Sequence, residues 1–240
     1  MSDAGINDIR RLQVGRETIS FATTKVGEDR PTLLFLHGAG TSSGERVSYL
    51  TALLARVGRS SVAIDFSGHG ESTGTLPSSS LNKRTQEAKA LLTLFTDEQP
   101  IGICGSSMGA HVAIRMLEFS PSENLFLFCP AVYSSAAYDV QFDQGFSKII
   151  REPGSWLQSE TFSILKNYEG RVLIFMGERD EVVPSALPGM LIDSAERAKR
   201  KELVIIPSAD HKLHAWLQHH PSDAQSVVEK MADYLGTTLR

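Results

Sequence analysis

The chain has 240 residues, of which 41% are hydrophobic and 22% charged, and its formal net charge is −4. This apolar content with so little net charge excludes a mainly disordered chain, and the lack of a basic excess argues against a nucleic-acid partner. No apolar run approaches the roughly 18 residues of a membrane span, and the N-terminus has no apolar signal core. We therefore expect a soluble, cytoplasmic protein.

The first elements along the chain predict a β-hairpin followed by buried strands. Residues 10–14 and 17–23 flank a Gly-Arg pair that suits a tight turn. Short runs that are apolar throughout follow, as is typical of parallel strands covered by helices on both faces. These runs lie at residues 32–36, 62–64, 101–104, 125–129, 172–176 and 203–206.

Helical patterns separate most of these runs. Apolar residues spaced by three and four predict a helix from about Val47 to Gly58, Ser80 is a candidate N-cap of the next helix, and residues 224–235 carry a one-sided apolar stripe. Alternation of strands and helices predicts an α/β fold with a mostly parallel, doubly wound sheet. In such sheets functional residues follow the carboxyl ends of strands.

One segment interrupts this alternation. Residues 131–167, called the insertion below, contain no strand-like run but are rich in aromatic and aliphatic side chains. We expect a small helical lid over the end of the sheet, within a single domain that spans residues 1–240. Tyr133, Phe146 and Trp156 are candidate walls of a substrate pocket, and simple packing of the insertion onto the sheet explains them equally well.

The motif Gly-x-Ser-x-Gly occurs twice, around Ser72 and around Ser107. A nucleophile elbow of this type needs a strand before it and a helix after it. Ser107 has both flanks, whereas Ser72 lies in a glycine-rich loop and is interpreted as loop structure. Ser107 is therefore the candidate nucleophile, and the Met108 amide at the start of the following helix is a candidate donor to an anion.

A serine hydroxyl needs a base, and the base needs an orienting acid. The carboxylates of Glu178, Asp180 and Glu181 follow one predicted strand, and His211 follows the last one. Serine, acid and histidine thus come in that order, each at the carboxyl end of a strand. This agreement of order and placement is stronger evidence than the short motif alone.

With these features the chain resembles the α/β-hydrolase superfamily over nearly its full length. The matching pieces are residues 36–40, 65–72, 105–109, 177–184 and 210–211. The resemblance implies that Ser107 is the nucleophile, Asp180 the acid and His211 the base. It also implies an oxyanion hole formed by the amides of Ala39 and Met108, with Gly40 as an alternative to Ala39. It implies no cofactor and no metal.

Several residues near these motifs have competing interpretations. His214 follows His211 by three residues and is a rival base, while His37 and His69 are interpreted as structural hydrogen-bonding residues rather than catalysts. A metal site formed by His214 with the His219-His220 pair is less favoured than the start of a surface helix. Ser106 departs from the histidine that is common at this position in the superfamily.

A serine with this machinery predicts acyl transfer through an acyl-enzyme that water releases. We expect a carboxylesterase-like hydrolase of small or medium acyl or aryl esters. A thioesterase or amide hydrolase with the same residues is the alternative. A hydrolase-like protein that binds a small ligand with little turnover is the third hypothesis. The expected partner is a small-molecule ester or thioester.

Overall fold

A computed structural model describes residues 6–27, 32–95 and 101–236. Its strands are β1 (Ile6–Val14), β2 (Glu17–Lys25), β3 (Leu33–Leu36), β4 (Ser61–Ile64), β5 (Gly102–Ser106), β6 (Asn124–Phe128), β7 (Arg171–Gly177) and β8 (Arg200–Ile206). They form an 8-stranded sheet in the order β1-β2-β4-β3-β5-β6-β7-β8. The pairs β1–β2 and β2–β4 are antiparallel, and the other pairs are parallel. The predicted fold class, with its N-terminal hairpin, is confirmed.

The central strands are short and apolar because helices cover them on both faces. Every residue of β3, β4 and β6 is buried. The last strand, β8, begins three residues earlier than the apolar run predicts, with Arg200, Lys201 and Glu202. It lies at the end of the strand order and pairs with β7. Polar side chains are tolerated there because this end strand is more exposed than the central strands. The hydrophobicity pattern therefore predicted only the second half of β8.

Helices connect most of the strands and pack against the sheet. Ser80 caps the second helix as predicted, because its side chain accepts a hydrogen bond from the Lys83 amide. None of the described helices is long and apolar enough to cross a membrane. The helices are α1 (Ser48–Arg56), α2 (Leu81–Leu91), α3 (Met108–Met116), α4 (Ser147–Arg151), α5 (Thr161–Asn167), α6 (Leu187–Ser194), α7 (Leu213–His219) and α8 (Pro221–Tyr234).

The insertion lies between β6 and β7 and contains α4, α5 and short turns at Ser135–Ala137, Phe142–Phe146 and Ser155–Gln158. Its first half is attached to the start of α2, because the Phe142 amide bonds the Ser79 carbonyl and the Asn82 amide bonds the Tyr138 carbonyl. Phe146 and Ala137 share a buried apolar cluster with Leu81 and Met108. The insertion therefore places aromatic side chains beside the start of α3.

Candidate functional site

Ser107 stands on a sharp turn between β5 and α3. Its backbone has φ 50° and ψ −117°, a conformation that costs a non-glycine residue about 1–3 kcal/mol. The two flanking glycines are required by close packing. An added Cβ would lie 2.5 Å from the Gly109 carbonyl oxygen at Gly105, and 2.2 Å from the Leu36 carbonyl oxygen at Gly109. The motif thus forms a sharp turn from β5 into α3, with Ser107 at the carboxyl end of β5.

The structure brings Ser107, His211 and Asp180 into one chain of hydrogen bonds. His211 Nε2 lies 3.0 Å from Ser107 Oγ, and His211 Nδ1 lies 2.8 Å from Asp180 Oδ2. The other oxygen, Asp180 Oδ1, accepts the amides of Val182 and Val183 at 2.9 and 3.0 Å. Because Asp180 accepts from Nδ1–H, Nε2 is left free to accept the serine proton.

The Asp180 carboxyl is nearly inaccessible, with a side-chain exposure of 1%. Burial alone would raise its pKa, but the hydrogen bond from His211 and those from the Val183 and Val182 amides outweigh burial and hold the pKa below its usual value. The group is therefore an anion at neutral pH. A fixed anion at this position orients the His211 ring and stabilises its protonated form.

Three other carboxylates in the turns after β7 and β8, those of Glu178, Glu181 and Asp210, make no hydrogen bond to His211 in the described part of the chain. The Glu178 side chain accepts the Ser208 amide at 2.8 Å, and Asp210 accepts the Lys212 amide at 2.8 Å. Glu181 is exposed. Asp180 is the carboxylate that the structure brings to His211, while its neighbours stabilise the turns after β7 and β8.

His214 lies under the elbow rather than beside the serine hydroxyl. Its Nε2 is 2.6 Å from Ser106 Oγ, and its Nδ1 is 2.9 Å from the Tyr49 hydroxyl. The ring is buried against Phe128, with centroids 4.8 Å apart. This network links α1, α7 and the residue before Ser107, and sequence reasoning missed it. The available signal was the adjacent pair Ser106-Ser107 together with two histidines, His211 and His214, three residues apart.

Buried neutral histidines make the stability of the protein dependent on pH. Burial, aided by the positive charge of Arg46, lowers the pKa of His214 from 6.5 to about 4. The unfolded chain binds a proton at this ring below about pH 6.5, whereas the folded chain does so only near pH 4. Stability is therefore complete above pH 6.5 and is lost as the pH falls from there towards 4.

We expect His214 alone to lower the free energy of unfolding by about 2 kcal/mol between pH 7 and pH 5. Urea unfolding of the wild type and of His214→Gln at both pH values measures this, and the variant should lose about 2 kcal/mol less than the wild type. Between pH 7 and pH 8, where the ring is neutral in both states, the two proteins should show the same small change. Equal losses at acid pH would contradict the prediction.

The loop after β3 lies against the elbow from the other side. An added Cβ at Gly38 would lie 3.2 Å from the Ser107 Cβ, so the loop that carries Ala39 and Gly40 borders the serine. Met108 opens α3 directly after Ser107. Both segments predicted to supply oxyanion donors therefore flank Ser107, and the roles of the Ala39 and Met108 amides stay predictions.

His37 and His69 belong to the support of this loop. His37 Nδ1 donates to the Gly38 carbonyl at 2.7 Å, while its Nε2 accepts the Phe66 amide at 3.0 Å. The His69 Nε2 accepts from Arg84 Nη2 at 3.2 Å. Arg84 is fully buried, and sequence reasoning missed it. The sequence signal for its burial is its position in α2, because a residue four positions before Ala88 lies on the same apolar face of the helix.

The three predicted pocket residues do not lie in one cluster. Tyr133 and Phe146 pack in the cluster that contains Met108, with ring centroids 5.6 Å apart. Trp156 packs instead against Phe162, with centroids 6.4 Å apart, at the border of the main core. Tyr133 and Phe146 are thus placed beside the start of α3, whereas Trp156 lies in a different part of the insertion.

Within the described residues, one group of side chains has the spacing of a metal site. Ligand atoms of Cys129, Asp180 and His211 lie within 4.8 Å of one another. Burial raises the pKa of the Cys129 thiol, and the nearby Asp180 raises it further, so the thiol is neutral at physiological pH. The thiolate is the form that binds metals, and Asp180 and His211 already bond each other. These residues therefore fit a proton-transfer chain better than a metal centre.

Comparisons with known proteins identify the family and several relatives of this chain. A protein-family model described as "Serine aminopeptidase, S33" matches residues 27–163. The chain is 31% identical over 121 residues to protein phosphatase methylesterase 1 from Bos taurus, covering 49% of this chain and 31% of that protein. It is 26% identical over 185 residues to the lysophosphatidylserine lipase ABHD12 from Bos taurus, covering 71% and 46%. The chain thus spans less than half the length of these two relatives.

A solved structure shows the same fold over almost all of the chain. Est1E from Butyrivibrio proteoclasticus, with ferulic acid bound, matches with a TM-score of 0.71 and 18% sequence identity, covering 95% of this chain and 100% of that one. At this level of identity the similarity concerns the fold.

Proposed function

Because the chain belongs to the serine aminopeptidase S33 family of α/β-hydrolases, we propose that it is a serine hydrolase of carboxylic esters with small or medium acyl or aryl groups. The observation that carries the proposal is the hydrogen-bonded chain from Ser107 through His211 to Asp180. A strained serine, a correctly oriented imidazole and a buried carboxylate are the parts that acyl transfer requires.

The proposed reaction proceeds in two halves. Ser107 Oγ attacks the ester carbonyl carbon while its proton moves to His211 Nε2, and Asp180 stabilises the resulting imidazolium. The carbonyl oxygen becomes an oxyanion that the amides of Met108 and Ala39 stabilise. His211 then gives its proton to the departing alcohol, which leaves an acyl group on Ser107. Water attacks this acyl-enzyme with His211 again as base, and His211 then returns the proton to Ser107 Oγ as the acid is released.

The substrate class is supported by the residues beside the elbow. Met108, whose amide is a proposed oxyanion donor, packs in one apolar cluster with Tyr133 and Phe146. An acyl or aryl group bound beside the Ser107 hydroxyl would meet apolar and aromatic side chains from the insertion. Two of the proteins similar to this chain are named as a methylesterase and a lipase, which are both ester-cleaving activities.

A series of p-nitrophenyl esters of increasing acyl length, with matched thioesters and an aminoacyl p-nitroanilide, tests the proposal. We expect ester hydrolysis with the highest kcat/KM at short or medium acyl length. Thioester turnover far above ester turnover would identify a thioesterase instead, and anilide turnover an amide hydrolase. Tight ligand binding without turnover on any of these compounds would favour the binding-protein hypothesis.

A further inference from the structure

Arg84 is a charged side chain with no exposed surface, on helix α2. Its Nη1 donates to the Gly38 carbonyl at 3.0 Å and its Nη2 to His69 Nε2 at 3.2 Å. The guanidinium also faces the rings of Phe66 and Phe142, with centroids 5.0 and 5.3 Å away. Removing a charge from water costs several kcal/mol unless hydrogen bonds compensate. The protein keeps a cation beside the elbow in spite of that cost.

Stability alone does not explain this cation. The buried Nε of Arg84 has no hydrogen-bond partner among the described residues. Burial lowers the pKa of Arg84 to about 10, which leaves it charged at neutral pH. The charge of Glu87 offsets part of the cost of burial, but replacing an incompletely hydrogen-bonded buried charge by an apolar side chain of similar volume is often neutral or stabilising. We therefore expect the role of Arg84 to lie in its two hydrogen bonds, to the Gly38 carbonyl and to His69.

The Gly38 carbonyl receives two donors at once. Arg84 Nη1 approaches it at 3.0 Å and His37 Nδ1 at 2.7 Å. The His37 tautomer is itself set, because its Nε2 accepts the Phe66 amide. Since a carbonyl oxygen has two lone pairs, this pair of donors saturates it and holds it in one direction.

The direction of that carbonyl determines the direction of the next amide. The described residues contain no cis peptide bond, so the Gly38 C=O and the Ala39 N–H lie in one rigid plane and point in opposite directions within it. Holding the carbonyl towards α2 turns the Ala39 N–H away from α2. Hydrogen bonding of the carbonyl to a cation also polarises the peptide group and makes its N–H a stronger donor.

We infer that Arg84 is a positioning residue for the oxyanion hole, which with His37 clamps the Gly38 carbonyl and thereby aims and strengthens the Ala39 amide. This inference rests on the proposed function for the role of Ala39. It also favours Ala39 over Gly40 as the donor, because the clamped peptide plane is the one between Gly38 and Ala39. Arg84 itself touches no substrate.

The test compares Arg84→Met, Arg84→Lys and a matched control. Arg115→Met is the control, because Arg115 is a largely buried arginine on the neighbouring helix α3 that pairs with Glu118 and Glu160. Each protein is checked for cooperative melting. We then measure kcat and KM for a p-nitrophenyl ester and the rate at which a fluorophosphonate labels Ser107. The labelling reaction needs the nucleophile and the oxyanion hole but not the right substrate.

We expect Arg84→Met to lower kcat and the labelling rate by roughly 10–100-fold, with KM changed by less than about threefold. Arg84→Lys keeps the charge and one of the two hydrogen bonds, so it should lose less than Arg84→Met. Arg115→Met should stay within about threefold of the wild type in both rates. A loss in kcat that KM does not share is the sign of an interaction made in the transition state.

Unchanged kcat and labelling rates in Arg84→Met would overturn the inference, as would a loss confined to KM or one equal to that of the control. If Arg84→Met fails to melt cooperatively, Arg84→Lys carries the test, and wild-type rates in that variant and in His37→Phe would overturn the inference. If the wild type is labelled but hydrolyses no ester, the proposed substrate class is wrong, while the labelling rates still test the role of Arg84.

Discussion

Ser107→Ala is expected to lower kcat for ester hydrolysis by roughly 10⁴- to 10⁶-fold. The substitution removes the only atom that can form the acyl-enzyme in the proposed mechanism, and His211 is left with no hydroxyl to deprotonate. Weak residual hydrolysis should remain, because the proposed oxyanion donors and the binding surface are still present. Initial rates with the best p-nitrophenyl ester measure the loss, and fluorophosphonate labelling should disappear with it.

The chain supplies a matched control for this substitution. Ser72 sits in the second Gly-x-Ser-x-Gly motif, where its hydroxyl donates to the Asp65 carbonyl at 2.6 Å and accepts the Ser20 amide at 2.7 Å. We expect Ser72→Ala to lower the melting temperature and to leave kcat close to that of the wild type. If Ser107→Ala kept more than about a tenth of the wild-type kcat, the proposed nucleophile would be wrong.

Asp180→Asn is expected to lower kcat by roughly 10³- to 10⁴-fold with little change in KM. The Val182 and Val183 amides donate to Oδ1 of this side chain, so in the variant they select the amide oxygen. The NH2 group is then turned towards His211 Nδ1, which must accept. Nε2 consequently carries the proton and cannot act as base. The expected loss therefore comes from the wrong tautomer rather than from a change in shape.

Kinetics of Asp180→Asn and of Glu181→Gln test this account together. Glu181 is the next carboxylate along the chain and is exposed, so its variant should keep wild-type kcat and KM. Asp180→Asn should melt cooperatively, and Ser107 should be labelled slowly by a fluorophosphonate. A kcat within about tenfold of the wild type would assign the orienting acid to another residue.

Much of the support around the site lies one layer away from the reacting atoms. His214 and Ser106 hold the elbow from below, while His37, His69 and Arg84 hold the loop that carries Ala39. All of these side chains except Ser106 are buried. Their hydrogen bonds allow one arrangement of the backbone around Ser107. Such rigidity is useful in acyl transfer, because donors that are already aimed need no reorganisation when the oxyanion forms.

The sequence by itself determined the sheet and the position of the elbow. Buried parallel strands have no solvated face, so their residues are apolar throughout and stand out as short runs. The elbow needs small residues at Gly105 and Gly109 because backbone approaches within contact distance there. Both requirements are local, and local requirements leave a mark on a few consecutive residues.

Only the tertiary structure decided how these residues are held and which side chains support them. The family resemblance already selects Asp180 among Glu178, Asp180 and Glu181, but the turn after β7 that directs Asp180 to His211 is a property of the folded chain. His211 lies in the turn after β8 and His214 in α7, and the fold brings the first to Ser107 and the second to Ser106. Arg84 is a charged residue on the buried face of α2, where a hydrophobicity pattern predicts apolar side chains. These assignments depend on distances between segments far apart in the chain, and such distances follow from packing, which no short stretch of sequence encodes.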